Sequence, residues 1–370
     1  MKYTVEKTHH RPAYIQLYAQ LREDILSGVI ERGKKLPSKR LLAAETGVSV
    51  ITVQHAYELL VDEGYAQSVE RSGYFACFGE SLPKKESPLL PLAEEKSISS
   101  ELPEDFPFST LAKIMRRVLS DYDRRILAKA PNLGCMELRQ AIADYLQRSR
   151  GIAVSPRQIV IGSGAEYLYS LVVQLLGRSE CIAVEDPCYE KIRQVYKANG
   201  AKVLPLKLGQ DGIISDELAS CQALALHVTP FNSYPSGVTA SAAKRREYAV
   251  WAQGRGAYIV EDDYDSEFSL LSQPVETVFS LCPGHVIYVN SFSKTIAPAL
   301  RTGYMILPPE LLERYEEKLG FYSCTVPVFE QYVLAEFISG GDMERHINRQ
   351  RRRLRQKLAE GRLSSQPRED

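Results

Sequence analysis

The sequence has no excess of charge of either sign, because 46 lysine and arginine residues are balanced by 46 aspartate and glutamate residues. This balance excludes a basic field over the whole chain, so a surface that binds nucleic acid would have to be local. No apolar run approaches the roughly 20 residues that a membrane-spanning helix needs, and the N-terminus has no charged segment followed by an apolar one. We therefore expect a soluble, cytoplasmic protein without a membrane partner.

Cysteine occurs in no pattern that binds metal, since the seven residues lie scattered and never form a CxxC pair. This spacing argues against a zinc site and a disulfide framework, and it predicts buried thiols in a reducing cytosol. Internal repeats and low-complexity tracts are also absent. A chain of 370 residues, 44% hydrophobic and 25% charged, is long enough for two or three globular units.

The first part of the chain has the pattern of three helices. Apolar residues at helical spacing over 14–26 predict the first helix, which Gly28 ends. Ser38 is the expected N-cap of a second helix that ends at Gly47, and Ser49 is the expected N-cap of a third. Two short helices across a tight turn predict a helix-turn-helix.

Two strand-like segments follow, at 65–69 and 74–78, and predict a β-hairpin that adds a wing. Residues 80–103 are rich in Pro, Ser, Lys and Glu, which is typical of a solvated linker. We therefore expect several domains: a mainly α unit over 10–79, this linker, and a further domain over 104–370.

In the further domain strands and helices alternate, which predicts an α/β fold with a largely parallel sheet covered by helices. Strands are expected over 158–161, 181–184, 202–206, 223–228, 257–260, 286–289 and 303–307. Helices are expected over 136–147, 165–176, 189–199 and 242–253.

One short motif in this domain carries specific chemistry. Ser291-Phe292-Ser293-Lys294, followed by Arg301, places a lysine between hydroxyls and a guanidinium. A lysine can form a Schiff base with an aldehyde, while serine hydroxyls and an arginine can bind a phosphate dianion. Pyridoxal phosphate carries both groups, so the motif predicts a pyridoxal phosphate site.

Residues 14–78 resemble the winged helix-turn-helix of the GntR-type bacterial repressors. The motifs that carry the resemblance are Lys35-Leu36-Pro37-Ser38-Lys39-Arg40, Gly47-Val48-Ser49, Thr52-Val53 and Ala56-Tyr57. The resemblance implies that the third helix enters the major groove of double-stranded DNA with its N-terminal residues. The side chains expected to contact bases or phosphates are Lys39, Arg40, Ser49, Thr52, Gln54, His55 and Arg71.

Two features qualify this expectation. The basic residues over 32–40 could alternatively form only a solvated charged face, but the surrounding motif disfavours this interpretation. Val50 stands where the family commonly has an arginine after the serine that opens the recognition helix. We therefore expect a different sequence preference or a lower affinity, by about 1 to 3 kcal/mol if that arginine contributes one base or phosphate contact.

Residues 104–360 resemble the fold-type I aminotransferases, and the whole chain resembles the MocR-type subfamily of GntR regulators. The resemblance matches Lys294 to the Schiff-base lysine, Asp262 to the aspartate that pairs with the pyridine nitrogen, and Tyr264 to the phenol that hydrogen-bonds the ring oxygen. An ionised carboxylate would keep that nitrogen protonated. The acidic run 261–263 could otherwise be a metal ligand set, but it lacks a nearby histidine, and no metal is expected.

The resemblance also implies the rest of the cofactor site. Gly164 and Ala165 would offer backbone N–H groups at a helix N-terminus to the phosphate, together with Ser291, Ser293 and Arg301. Tyr189 matches the aromatic residue that stacks on the pyridine ring, with simple packing as the alternative. Tyr234, before Pro235, stands where the regulator subfamily has an aromatic residue.

The end of the sequence departs from the fold-type I pattern. The resemblance implies a small C-terminal domain with the arginine that binds a substrate carboxylate, whereas this sequence ends at Asp370. We therefore expect a C-terminally truncated second domain. The basic stretch 345–357 predicts a helix with a solvated face, and a nucleic-acid patch is the alternative.

The two resemblances together predict a DNA-binding transcription regulator that uses pyridoxal phosphate, or a small amino-compound effector, to modulate its DNA binding. A homodimer is expected, because paired half-sites suit helix-turn-helix proteins and fold-type I pockets form at dimer interfaces. Two alternatives stay open: an aminotransferase with an appended DNA-binding domain, and a degenerate regulator without cofactor.

Overall fold

The computed structural model describes residues 3–6, 11–77, 106–269 and 276–360. The chain divides into two compact units, Met1–Ile98 and Ser99–Asp370. The linker expected over 80–103 lies outside the described residues, as does the expected end of the second strand at Phe78.

The first unit contains α1 (Ala13–Leu26), α2 (Lys39–Thr46), α3 (Val50–Asp62), β1 (Ala66–Val69) and β2 (Gly73–Ala76). The Ser38 hydroxyl accepts a hydrogen bond from the Leu41 amide (3.2 Å), and the Ser49 hydroxyl accepts one from the Thr52 amide (3.1 Å). Both serines are therefore N-caps, which satisfy amides that the first helical turn leaves free. Gly47 ends α2 with a φ of 69°, a left-handed conformation that glycine adopts without strain.

The core of this unit lies between its three helices. Its fully buried side chains include Leu17, Leu21, Ile25, Leu42, Val53, Tyr57 and Leu60. Tyr57 also donates a hydrogen bond to the Pro37 carbonyl (2.8 Å), which fixes α3 to the segment before α2. The two strands pair antiparallel, with Ala66 opposite Ala76. The predicted helix-turn-helix and wing are thus both present.

Seven strands form the sheet of the second unit: β3 (Ile159–Gly162), β4 (Cys181–Asp186), β5 (Lys202–Lys207), β6 (Ala225–Val228), β7 (Tyr258–Asp262), β8 (Val286–Ser291) and β9 (Gly303–Ile306). Their order is β3-β9-β8-β7-β6-β4-β5. The strand β9 runs antiparallel to both of its neighbours, and the other adjacent pairs are parallel. The prediction of a largely parallel sheet is confirmed.

Helices cover both faces of this sheet. They are α4 (Phe108–Tyr122), α5 (Met136–Arg150), α6 (Ala165–Leu176), α7 (Glu190–Ala198), α8 (Ser215–Ser220), α9 (Ala242–Arg255), α10 (Val278–Leu281), α11 (Phe292–Thr295), α12 (Pro309–Leu319), α13 (Val328–Ser339) and α14 (Asp342–Ala359). Successive strand side chains point to opposite faces, so Ile259 packs into one apolar cluster and Val260 into the other. Apart from the edge strand β5, which is largely exposed, the sheet is buried on both sides.

The sequence pattern did not predict α4, α8, α10, α11, α12 or α13. The case of α13 has a clear cause, because eight of its twelve residues are buried and it has no broad polar face. The basic stretch expected over 345–357 lies within α14. Among the described residues, no helix is long and apolar enough to cross a membrane.

The seven cysteines are free thiols. Cys135, Cys221 and Cys282 are buried, whereas the other four are half-buried, so the expectation of burial holds for three of them only.

Candidate functional site

The predicted cofactor residues lie where parallel strands of the second unit end. Asp262 is the last residue of β7, Ser291 is the last residue of β8, and Lys294 lies in the short helix α11 that follows. The segment 229–237 follows β6 in the same way. In open α/β sheets ligands bind outside the carboxyl ends of the strands, so these residues share the expected edge of the sheet.

The Lys294 amino group has two neighbours. Its Nζ lies 3.1 Å from Oδ1 of Asp265 and 4.7 Å from the centroid of the Tyr264 ring. The lysine is therefore held by an ion pair and by the face of an aromatic ring. Tyr264 was among the predicted residues, whereas Asp265 was not.

Asn232 joins this group to the segment after β6. Its side-chain amide donates a hydrogen bond to Oδ2 of Asp265, and its carbonyl accepts one from the Tyr264 hydroxyl (2.8 Å). Asn232 has a φ of 52°, and asparagine is one of the few residues other than glycine that occupy this region readily. Asn232 was not predicted from the sequence, although it lies two residues before the predicted Tyr234.

Asp262 is buried, with its Oδ2 accepting a hydrogen bond from the Tyr169 hydroxyl (2.5 Å). Burial raises the pKa of Asp262 to about 7; the hydrogen bond from Tyr169 opposes this effect and the nearby Asp263 adds to it. The His227 Nε2 atom lies 3.9 Å away, beyond hydrogen-bond distance.

His227 is not a cationic partner for Asp262. Burial lowers the pKa of His227 to about 3, so its ring is neutral at physiological pH. A hydrogen bond of 2.7 Å joins its Nδ1 to the Tyr196 hydroxyl. Within the described ranges, no lysine or arginine forms an ion pair with Asp262, so a cationic group bound there would gain a buried counter-ion.

The carboxylates on either side of Asp262 are engaged by the protein itself. Glu261 accepts hydrogen bonds from the amides of Val278 (2.8 Å) and Phe279 (2.7 Å). Asp263 forms a buried ion pair of 2.7 Å with Arg150. Each carboxylate of the acidic run thus has its own partners.

Gly164 and Arg301 meet at the N-terminus of α6. Gly164 has a φ of 93°, and a Cβ atom there would lie 3.2 Å from Nη2 of Arg301. The same guanidinium pairs with Glu166 at 2.9 Å. The first amides of a helix have no partners within it, so Ala165 and its neighbours add N–H donors beside this cation.

The two predicted serines lie near this point. Ser291 pairs with Gly303 in the ladder between β8 and β9, and the Ser293 hydroxyl donates a hydrogen bond to the Leu300 carbonyl (3.2 Å). A Cβ atom on Gly303 would lie 3.4 Å from the carbonyl carbon of Gly164. The start of β9, which pairs with the end of β8, and the start of α6 are therefore in close contact.

Two of the three predicted tyrosines, Tyr189 and Tyr234, contact each other, with ring centroids 5.9 Å apart and ring planes at 78°. The loop that carries Tyr234 is fixed to β4, because the Ser233 hydroxyl donates a hydrogen bond of 2.6 Å to Glu185. Burial raises the pKa of Glu185 to about 8, against the effect of this hydrogen bond. Glu185 was not predicted.

The functional groups of these residues match those of pyridoxal phosphate. An amino group suits the aldehyde, a buried carboxylate without a cationic partner suits a protonated ring nitrogen, and an arginine beside a helix N-terminus suits the phosphate.

The predicted DNA-contacting residues lie in the first unit, at the starts of α2 and α3 and at the hairpin turn. Arg40 and Arg71 are exposed. Lys39 donates a hydrogen bond to the side-chain carbonyl of Gln54 (3.2 Å), which connects α2 to α3.

The other predicted residues of α3 make contacts within the unit. The hydroxyls of Ser49 and Thr52 lie 2.8 Å apart in the helix cap. His55 is exposed, and its ring packs edge-on against Tyr14, with centroids 5.9 Å apart. These side chains therefore have partners within the unit.

Comparison with known families matches each unit separately. Residues 13–75 match the bacterial regulatory proteins of the gntR family, and residues 104–367 match aminotransferase class I and II. The uncharacterized HTH-type transcriptional regulator YdeL of Bacillus subtilis is 36% identical, over 96% of this chain and 79% of that protein.

Two further relatives have more specific names. The probable rhizopine catabolism regulatory protein MocR of Rhizobium meliloti is 29% identical, over 92% of this chain and 74% of that protein. The HTH-type pyridoxine biosynthesis transcriptional regulator PdxR of Corynebacterium glutamicum is also 29% identical, over 94% of this chain and 78% of that protein.

Solved structures resemble part of the chain. Kynurenine aminotransferase of Pyrococcus horikoshii, in complex with PMP, has a TM-score of 0.61 and 26% identity, over 67% of this chain and 64% of that one. The α-aminoadipate aminotransferase LysN of Thermus thermophilus, complexed with N-(5′-phosphopyridoxyl)-L-leucine, has a TM-score of 0.59 and 25% identity, over 68% and 65%. The chain thus covers slightly less than two thirds of these aminotransferases.

Proposed function

Because the chain belongs to the MocR-type GntR transcription regulators, we propose that it binds pyridoxal phosphate on Lys294 as a Schiff base and that occupancy of this site changes its affinity for DNA. The observation that carries the proposal is the position of Lys294 at the carboxyl ends of β7 and β8, 3.1 Å from Asp265. The lysine, the buried carboxylate and the arginine each suit a different group of one cofactor.

Each end of the cofactor has its own residues in this proposal. Lys294 takes the aldehyde, Asp262 takes the ring nitrogen, and Arg301 takes the phosphate with the N–H groups that follow Gly164. When bound, the cofactor supplies a carbon that exchanges one amine for another and a ring that withdraws electrons. A protonated ring nitrogen would favour the ionised form of Asp262, against the effect of burial.

Sensing would use the same exchange. An amino compound that replaces the lysine at the aldehyde releases the Lys294 amino group, for which Asp265 is the counter-ion. Asp265 is held by Asn232, so the segment 229–237 is connected to the state of the lysine. Coupling to DNA requires that the two states differ in DNA affinity. The name of the Corynebacterium relative concerns pyridoxine biosynthesis, which makes the cofactor itself one candidate signal.

The DNA partner is double-stranded DNA with two half-sites. Helix-turn-helix proteins bind as dimers whose symmetry matches that of the operator, so the proposal includes a homodimer. Sedimentation of the full chain with and without pyridoxal phosphate would measure the oligomeric state, and a monomer under both conditions would contradict the dimer.

The cofactor half is tested by chemical trapping. The full chain is incubated with pyridoxal phosphate, reduced with borohydride, digested and mapped by mass spectrometry. We expect the adduct on Lys294, together with the long-wavelength absorbance of a protein-bound Schiff base before reduction. Lys294→Ala should lose both signals, whereas Lys197→Ala, which changes an exposed lysine of α7, should keep them.

Three outcomes would contradict the proposal in different ways. An unchanged spectrum in Lys294→Ala would remove Lys294 as the attachment site. Conversion of the bound cofactor to its amine form by amino acids at catalytic rates would favour an aminotransferase with an appended DNA-binding domain. A colourless protein that still binds DNA would favour a regulator without cofactor.

A further inference from the structure

Two apolar side chains project into solvent at the start of α3. Val50 is 41% exposed and Ile51 is 66% exposed, although both occupy the first turn of the helix. Other apolar residues of this helix, such as Val53 and Leu60, are fully buried. The exposed pair therefore has no role in the core of the unit.

The polar neighbours of this pair are already engaged. The hydroxyls of Ser49 and Thr52 contact each other, and the Ser49 hydroxyl also accepts the Thr52 amide hydrogen bond. The Gln54 side chain accepts a hydrogen bond from Lys39 and donates one to Glu58 (2.8 Å). At the exposed start of the helix, the outward surface is thus formed largely by Val50 and Ile51.

In a helix-turn-helix, the N-terminal residues of the second helix contact base edges in the major groove. Four kinds of hydrogen-bonding edge are found there, together with one apolar group, the C5-methyl of thymine. We propose that Val50 and Ile51 read thymine methyl groups, so that this protein selects half-sites by apolar contact at positions where an arginine would read guanine. The proposal rests on DNA binding by the first unit.

Basic side chains of the same unit suit the phosphates that flank a major groove. Lys39 and Arg40 precede the exposed pair in sequence, at the start of α2, and the exposed Arg71 lies at the hairpin turn. The exposed carboxylate of Glu58 lies seven residues beyond Ile51 in α3, which is about 10 Å along a helix. Glu58 would repel DNA phosphates, and the start of α3 is the end of this helix that lies away from it.

The test removes the methyl groups from the DNA. A preferred operator is selected with the full chain from a pool of random double-stranded DNA, and each thymine of a half-site is then replaced by deoxyuridine. This change deletes the C5-methyl and keeps the base pair. We expect a loss of about fourfold in affinity at one or two positions of each half-site, since burying one such carbon contributes about 0.8 kcal/mol.

Protein variants connect each loss to a side chain. Each single variant, Val50→Ala or Ile51→Ala, should lose the sensitivity to deoxyuridine at one of the sensitive positions. Its affinity should then be the same whether that position carries thymine or deoxyuridine. The matched control is Val29→Ala, because Val29 is 51% exposed in the same unit but lies outside α3. This variant should keep the full sensitivity, and thermal unfolding checks that all three variants fold as the wild type does.

Two results would overturn the proposal. One is a wild-type protein whose affinity is unchanged by deoxyuridine at every thymine of the half-site. The other is a Val50→Ala and Ile51→Ala double variant that keeps the full sensitivity at every position. A wild-type protein that enriches no sequence at all would contradict DNA reading itself, and this outcome is distinct from the other two.

Discussion

The Lys294 amino group lies 3.1 Å from Oδ1 of Asp265, while Oδ2 of the same carboxylate accepts a hydrogen bond from Asn232. One carboxylate therefore holds both the lysine that follows β8 and the segment that follows β6. The Tyr264 ring, 4.7 Å from the same nitrogen, adds a second contact. The lysine proposed to react is thus held by an ion pair that the reaction must break.

Asp265→Asn should speed the condensation of Lys294 with pyridoxal phosphate, because it removes the ion pair and keeps the size of the side chain. Partly exposed ion pairs contribute about 0.2 to 1 kcal/mol, so we expect a gain of up to about fivefold. Stopped-flow absorbance after mixing cofactor-free protein with pyridoxal phosphate measures the rate. Asp342→Asn, which breaks an exposed pair with Arg345, is the control, and an equal rate for wild type and Asp265→Asn would contradict the prediction.

Gly164→Ala should weaken cofactor binding by about tenfold or more. The new Cβ atom would lie 3.2 Å from the Arg301 guanidinium at a φ of 93°, which side chains rarely adopt. Displacing one charged donor from the phosphate costs about 1.5 to 3 kcal/mol. Equilibrium titration measures the affinity. Gly254→Ala in α9, where the added atom meets open space, should bind normally; equal affinities for the two variants would refute the phosphate role.

Asp262 should make the cofactor-free protein less stable as the pH rises. Its pKa in the folded protein is about 7, against about 3.9 in the unfolded chain. Between these values the folded state retains a proton that the unfolded state has lost. The stability that this proton contributes is therefore full below about pH 4 and is lost as the pH rises toward 7.

Urea unfolding of wild type and Asp262→Asn at pH 5 to 8 checks this sign. The free energy of unfolding of the wild type relative to the variant should fall from pH 5 to pH 8. Pyridoxal phosphate should reduce that fall, since its ring nitrogen would provide a cation for the ionised carboxylate. Asp144→Asn, at an exposed position on α5, should show no such trend. If the difference in free energy of unfolding between wild type and Asp262→Asn stays constant from pH 5 to pH 8, the raised pKa of Asp262 is contradicted.

Arg40→Ala should weaken binding to all DNA sequences to a similar extent, because we expect this exposed arginine at the start of α2 to contact a phosphate and not a base. The slope of log affinity against log salt concentration should decrease in magnitude by about 1. Titrations of the selected operator and of random DNA at several salt concentrations measure both effects. Lys113→Ala, an exposed site on α4, is the control, and a loss confined to the operator would indicate base contact instead.

The sequence predicted most strands of the sheet because they are buried apolar runs; the edge strand β5 is the exception to this burial, being largely exposed. The strand expected over 158–161 is Ile159–Gly162, and all of its residues are buried. The helices expected over 165–176 and 242–253 also formed, since each has caps or glycines at its ends. The helix Val328–Ser339 was missed because burial on most sides leaves no alternation of polar and apolar faces.

The site was predictable where one short segment carries the chemistry. Lys294 stands out because two serines precede it and Arg301 follows it, and the structure places it beside Tyr264. Asp265 was not predictable, because the acidic run 261–267 does not indicate which carboxylate faces the lysine. Tyr169 reaches Asp262 from 93 residues away in the sequence, a contact that only the packing of α6 against the sheet creates.

The central claim is that the state of Lys294 controls DNA binding, and DNA affinity with and without pyridoxal phosphate tests it most directly in wild type and Lys294→Ala. Coupling free energies between two sites are typically about 1 to 3 kcal/mol, so the cofactor should change the wild-type affinity by about 5- to 150-fold. The affinity of Lys294→Ala should not respond. An equal response in both proteins, or none in the wild type, would contradict the account.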